Sequence, residues 1–236
     1  MRRKTAIMGD YNNVIYEKEQ WEILDSLRKK AAIVMSALKE EGFNSLVHGS
    51  VARGDVSKTS DIDIFIPMVV QSFKLELTLD NLDIVGRKLI QATPSGLIKG
   101  HIYLPCNTMV TFPLVQPTNR ELDFYAFGGQ LGLDNLEDVL NNRVPGVDKR
   151  LMLIEPMPDG HLESPLSDMS PGVVARKIGV GQDIIDERIR VLKRRAQVGI
   201  TGVYIDRPLF SDEGFEEVLE EIKATDSFVR RRTGIR

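Results

Sequence analysis

Two carboxylates separated by one apolar residue, Asp61-Ile62-Asp63, open the run DIDIFIP. Apolar residues at 62, 64 and 66 predict a strand that Pro67 ends. Strand side chains alternate, so both acids share one face while the isoleucines take the other. Paired carboxylates repel one another unless a cation neutralises them. Mg²⁺ suits them, because it prefers oxygen ligands and keeps waters that a phosphate can replace. The spacing alone is common on solvent-facing strands, but two further features accompany it. Upstream, Gly49-Ser50 leaves a short apolar run and enters the helix-compatible Val51-Ala52-Arg53. There glycine lets the main chain approach a phosphate, and the hydroxyl and neighbouring N–H groups can bind its oxygens. Downstream, Arg120-Glu121-Leu122-Asp123-Phe124 reads as a strand with Leu122 and Phe124 inward and Asp123 on the side of the pair. Glu121 shares that face and competes for the role. A third carboxylate there would also accept the proton of an attacking hydroxyl.

Other residues carry weaker signals. Arg53 is placed either to meet a triphosphate or to form an ion pair, and Lys58 is a lesser candidate for the same contact. His48, His101 and His161 have no metal-ligand spacing, and Tyr103 and Tyr125 could stack on a base or simply pack. The basic residues Arg176, Lys177, Arg188, Arg190, Lys193, Arg194 and Arg195, with Arg230, Arg231, Arg232 and Arg236, offer a local patch for RNA or DNA or a solvated helix face.

The elements that must position these residues follow from periodicity. A short hairpin is expected around residues 6–16. Trp21, Leu24, Leu27, Ala31, Val34, Met35 and Leu38 mark a helix over about 17–41, closed by Gly42. A strand over 45–48 leads to Gly49. Residues 72–79 and 81–90 read as helical, and 98–104, 109–115 and 121–127 as strands. Turn-rich text makes 131–170 a connector, and helices are expected over 173–198 and 213–223. The predicted organisation is an α/β (α+β), mixed-sheet domain over 1–130, a connector over 131–170 and a smaller, mainly helical module over 171–236. In that module Ala175, Gly179 and Ile185 match the spacing of a helix-turn-helix, winged or not, although Arg188 stands where an apolar residue is expected. An ordinary helical subdomain is the alternative.

Taken together, His48-Gly49-Ser50-Val51-Ala52-Arg53-Gly54 and Ser60-Asp61-Ile62-Asp63-Ile64 resemble the signature of the polymerase β nucleotidyltransferase superfamily, in a flavour similar to archaeal CCA-adding enzymes. The resemblance spans residues 20–127. It implies a palm-like domain in which Asp61, Asp63 and Asp123 hold two Mg²⁺ ions, with Mn²⁺ as substitute, while Gly49, Ser50 and Arg53 bind a nucleoside triphosphate. The implied reaction is attack of a hydroxyl on the α-phosphate with release of pyrophosphate.

Composition bounds the rest. A formal net charge of −3 argues against coating nucleic acid by bulk electrostatics. A single cysteine, Cys106, excludes a disulfide framework within the chain and a cysteine zinc cluster. With no apolar leader and no long apolar run, a cytoplasmic protein that does not span a membrane is expected. Three functions compete: nucleotide transfer to RNA or another macromolecule, a nucleic-acid-binding regulator or antitoxin-like protein with a vestigial nucleotidyltransferase module, and nucleotide transfer to a small molecule.

Overall fold

The structure is a computed structural model that describes residues 6, 8–199 and 202–234. Ile7, residues 200–201 and Arg236 lie outside the described residues. The chain forms two units, each assembled from three separate stretches: Met1–Ala32, Val47–Ser60 and Asn119–Thr201 in the first, Ile33–Leu46, Asp61–Thr118 and Gly202–Arg236 in the second. The consecutive boundaries expected from sequence cut across both. In particular, 171–236 is not one module, since its first part belongs to one unit and its last part to the other.

In the first unit a four-stranded antiparallel sheet runs β1 (Asn12–Ile15), β10 (Gly160–Pro165), β9 (Met152–Met157), β8 (Gly146–Val147). β1 pairs with β10 from Asn12↔Glu163 to Ile15↔Gly160, so residues 6–16 contribute one strand to a remote partner and no local hairpin. The expected connector therefore supplies most of a sheet. The alternating pattern is weak there because Leu151, Met152, Leu153 and Ile154 are all fully buried, which erases the period of two.

The helices of this unit are the first part of α1 (Lys18–Glu40), α2 (Ser50–Arg53), α4 (Asn119–Phe127), α5 (Pro171–Ile178) and α6 (Gln182–Val198). Phe127, Val147, Leu153, Leu166, Val174, Ile184, Ile185 and Leu192 share one core cluster. Gly179, at φ 72°, closes α5 while the Val180 N–H donates to the Ala175 carbonyl. The left-handed residue turns the chain sharply into α6. A helix, a tight turn and a second helix are thus present. Among the described residues the next strand after α6 is β11 (Ile205–Pro208), which belongs to the other unit. β2 (Leu46–His48) and β7 (Gln130–Gly132) run side by side.

The second unit carries β11, β4 (Gly86–Gln91), β5 (Ile98–Leu104), β6 (Thr108–Pro113) and β3 (Ile62–Phe65) in that order. β3 lies parallel to β6 and the other pairs are antiparallel, which gives the mixed sheet expected. One face is apolar, with Ile62, Ile64, Val110, Phe112, Ile98 and Ile102 fully buried. Against it pack α7 (Phe215–Thr225) and α8 (Ser227–Thr233): Phe215 meets Phe112 edge-on at 5.0 Å, and Val218, Leu219 and Val229 join Leu89 and Ile98 in one cluster.

Two assignments change here. Residues 72–79 are helical, as α3 (Ser72–Leu79), but 86–91 form a strand rather than a helix. Asp83, at φ 58°, breaks the helical path, and β4 is fixed by partners on both sides, β5 and β11. Residues 121–127 are helix α4, not a strand. Glu, Leu and Ala form helices readily, and packing of Phe127 into the first core overrides the aromatic residues that favour a strand.

Candidate active site

The acids of the D-x-D run stand where strand alternation puts them. Ile62 and Ile64 are fully buried on one side, Asp63 is half-buried on the other, and Asp61 is exposed just before the strand. β3 is held along β6 by the Ile62 N–H donating to the Asn107 carbonyl and the Ile66 N–H to that of Thr111. Burial, and then the charge of Asp61, push the Asp63 carboxyl up from 3.8 to about 6, with Lys99 opposing the rise. The pair concentrates negative charge that Lys99 offsets only in part, and a cation would relieve it.

Asp63 stands across from Met109 in β6, and Met109 across from Tyr103 in β5. Lys99, His101 and Tyr103 alternate with Ile98, Gly100, Ile102 and Leu104, so they share the face of Asp63. Burial lowers the Lys99 ammonium to about 8, with Asp63 acting to hold it up. Burial also takes His101 down to about 3, so its imidazole is neutral. Its Nε2 is buried with no hydrogen-bond partner, and its Nδ1 lies 3.4 Å from the Tyr103 hydroxyl. Lys88 of β4, across from His101, pairs with Asp206 at 2.9 Å.

The Gly-Ser turn is built in the first unit. Gly49 leaves β2 with φ 80° and ψ −144°, a conformation closed to residues with a Cβ, and donates its N–H to the Gly129 carbonyl at 2.9 Å. Ser50 then starts α2. Its Oγ lies 3.5 Å from the Oγ of Ser60, which also accepts the Ser57 N–H at 2.9 Å. Ser60 is the residue directly before Asp61.

Sequence reasoning missed what holds this turn. Arg28, almost fully buried on α1, donates Nε to the Val51 carbonyl and Nη2 to that of Ala52, both at 3.1 Å. It satisfies carbonyls at the end of a four-residue helix that cannot satisfy them itself. An arginine among the apolar positions of an amphipathic helix was the only sequence signal for it.

Other expected residues take different places. Arg53 is buried and forked onto Asp55, two bonds of 2.9 Å, with Nη1 donating to the Gly128 carbonyl at 2.6 Å. The ion pair, not an open guanidinium, is its observed state. Lys58 pairs with Glu19 at 2.6 Å. Asp123, expected on a strand, sits on α4, where its Oδ2 accepts the Gly181 N–H at 2.9 Å and ties α4 to the start of α6. Glu121 is on the same helix. Among the described residues no three of His, Cys, Asp and Glu are grouped to hold a metal.

Tyr125 packs edge-on to His48 at 5.1 Å. His161 is buried between the Tyr16 hydroxyl, 2.7 Å away, and Glu163, 3.3 Å away. Of the basic run, Arg176, Arg190, Lys193, Arg194 and Arg195 are exposed, Lys177 pairs with Glu155 at 2.5 Å, and Arg188 stacks over Phe124 at 4.8 Å. In the C-terminal run Arg232 is buried and donates to the Gln116 carbonyl at 3.0 Å.

A parallel β3–β6 pair carries two acids on one face and is preceded in the chain by a strand, a Gly-Ser turn and a short helix. Residues 17–94 match the family model of the nucleotidyltransferase domain. That segment contains both the turn and the D-x-D strand and ends before β5. No curated protein and no solved structure matches the chain.

Proposed function

We propose that the protein is a metal-dependent nucleotidyltransferase that moves a nucleoside monophosphate from a nucleoside triphosphate to a hydroxyl acceptor. The observation that carries this reading is the match of residues 17–94, which contain both Gly49-Ser50 and Asp61-Ile62-Asp63, to the nucleotidyltransferase domain. Hard oxygen donors and the raised proton affinity of Asp63 fit a divalent cation, Mg²⁺ first and Mn²⁺ as substitute, at Asp61 and Asp63. When bound, such an ion polarises phosphoryl oxygens and lowers the proton affinity of the attacking hydroxyl.

The chain's part is to hold and orient. Gly49 and Ser50 seat the triphosphate, and Arg28 and Arg53 fix the turn from behind. In the transfer the acceptor oxygen bonds to the α-phosphorus and the bond from that phosphorus to the bridging oxygen breaks. Pyrophosphate leaves with the bonding electrons, and the hydroxyl proton passes to a carboxylate oxygen of the site. Asp123 is the third carboxylate of this reading, and its Oδ2 accepts the Gly181 N–H.

The exposed cations Arg176, Arg190, Lys193, Arg194 and Arg195 favour a nucleic-acid acceptor. The test is to offer each α-labelled nucleoside triphosphate with Mg²⁺ to RNA, protein and metabolite pools. Label in RNA is expected. Label in the metabolites alone would assign a small-molecule acceptor, and no label anywhere would remove the enzymatic reading.

A further inference from the structure

We propose that β1 is a dimer interface, at which two copies of this chain join their four-stranded sheets edge to edge, antiparallel, about a two-fold axis at Asn13. β1 ends the order β1-β10-β9-β8, and among the described residues no strand lies on its other side. The ladder fixes which main-chain groups face that side. The Tyr16 N–H donates to the Asp159 carbonyl at 2.8 Å, one step beyond the pair Ile15↔Gly160. The Val14 carbonyl lies against Gly160, where it would collide with a Cβ. In an antiparallel pair every second residue bonds to a given neighbour. Residues 12, 14 and 16 therefore bond to β10, and the N–H and C=O groups of Tyr11, Asn13 and Ile15 point outward from the sheet edge.

Free edges are commonly guarded by a charged side chain, a proline or a bulge. The run Tyr11-Asn12-Asn13-Val14-Ile15-Tyr16 has no charge and no proline. On one face Tyr16 is buried, whereas on the other Tyr11 and Ile15 are 65% and 66% exposed.

The partner is a second copy because the run complements itself. Turned about Asn13, the two strands set Asn13 against Asn13 of the other copy and Tyr11 against Ile15 of the other copy. These are the residues whose main-chain groups point outward, so each pair exchanges both of its hydrogen bonds. Tyr11 and Ile15 then cover one another as an aromatic and β-branched pair. The flanking acids stay apart, since Asp10 falls opposite Tyr16 and Glu17 opposite Gly9. Parallel pairing in register would set Asp10 against Asp10. The contact is isologous, and its small area makes the dimer weak.

The test follows from the axis, because residue 13 alone meets itself. Sedimentation of the full chain is expected to show a monomer–dimer equilibrium with its midpoint on the order of 10–100 µM. Asn13→Lys should raise that midpoint by about tenfold or more, as two ammonium groups meet, and Asn13→Asp should do the same. An equimolar mixture of the two variants should return it to the wild-type value or below. Asn13→Pro, which removes an outward N–H, should also give monomers. Circular dichroism checks the fold of each variant, and if Asn13→Pro does not fold, the lysine and aspartate variants carry the comparison. A wild-type chain that stays monomeric up to about 500 µM overturns the inference. So does a dimer that is indifferent to the Asn13 variants, or a mixture of the two charged variants that stays monomeric.

Discussion

The carboxyl of Asp63 connects stability to the proposed catalysis. Its proton leaves the unfolded chain near 3.8 but the folded chain only near 6. The folded state is therefore penalised as pH rises between those values, and above about 6 it bears the full cost of a half-buried charge beside another. Asp63→Asn is expected to raise metal-free stability at pH 8 by on the order of 2 kcal/mol, discounted for partial exposure, and to leave it unchanged at pH 3.5. Chemical denaturation at both pH values checks this, and equal gains at both would remove the charge explanation. Transfer should vanish in Asp61→Ala and Asp63→Ala while both remain folded, as labelled-product assays and circular dichroism would report. Ser50→Ala should cost less, about 1.5–3 kcal/mol in triphosphate affinity, since one contact to a charged phosphate is lost. Titration calorimetry with a non-hydrolysable analogue measures it.

At the scale of elements, the sheet of the second unit depends on Gly100. A Cβ there would lie 2.4 Å from the Phe112 ring and 2.9 Å from that of Phe215. Both rings belong to the core, so Gly100→Ala should destabilise by about 1–3 kcal/mol, seen as a lower urea midpoint. Elements were largely legible where local pattern and tertiary role agree: α1 with its buried Leu24, Ala31 and Leu38, the alternation of β5, and the D-x-D strand. They were illegible where a partner decides. Residues 81–90 carry the helical spacing of Leu82, Val85 and Leu89, yet Gly86–Gln91 is a strand because β5 and β11 flank it. α4 looked like a strand because Leu122, Phe124 and Phe127 suit a pleated surface. Its place on a helix moved Asp123 off the expected sheet face.

For the whole molecule, the candidate site was legible in its contiguous parts, the Gly-Ser turn and Asp61-Ile62-Asp63. Nothing local marks Arg28, which reaches carbonyls more than twenty residues away. It acts through contacts that exist after folding alone. The basic face of α6 is testable at this scale. Replacing Arg190, Lys193 and Arg194 by Glu should raise the apparent KM for a nucleic-acid acceptor and flatten its salt dependence, because fewer counterions are released. Affinity for the triphosphate should stay as it was. Filter binding across a salt series reads both, and identical slopes would return this helix face to solvent.

The division of the chain also sets an order of events during synthesis. Each unit is interrupted twice, with passages at 32/33, 46/47, 60/61, 118/119 and 201/202. β1 emerges from the ribosome early but has no strand to join until Gly160–Glu163 appears. β4 remains an edge until Ile205–Pro208 is made, and Phe112 lacks its ring partner until Phe215 follows. Segment 17–94, for all that it holds the turn and the acids, would leave the tunnel as an unfinished sheet with unpaired strands. Closure waits for distant sequence, which slows folding and leaves nascent chains dependent on protection from aggregation.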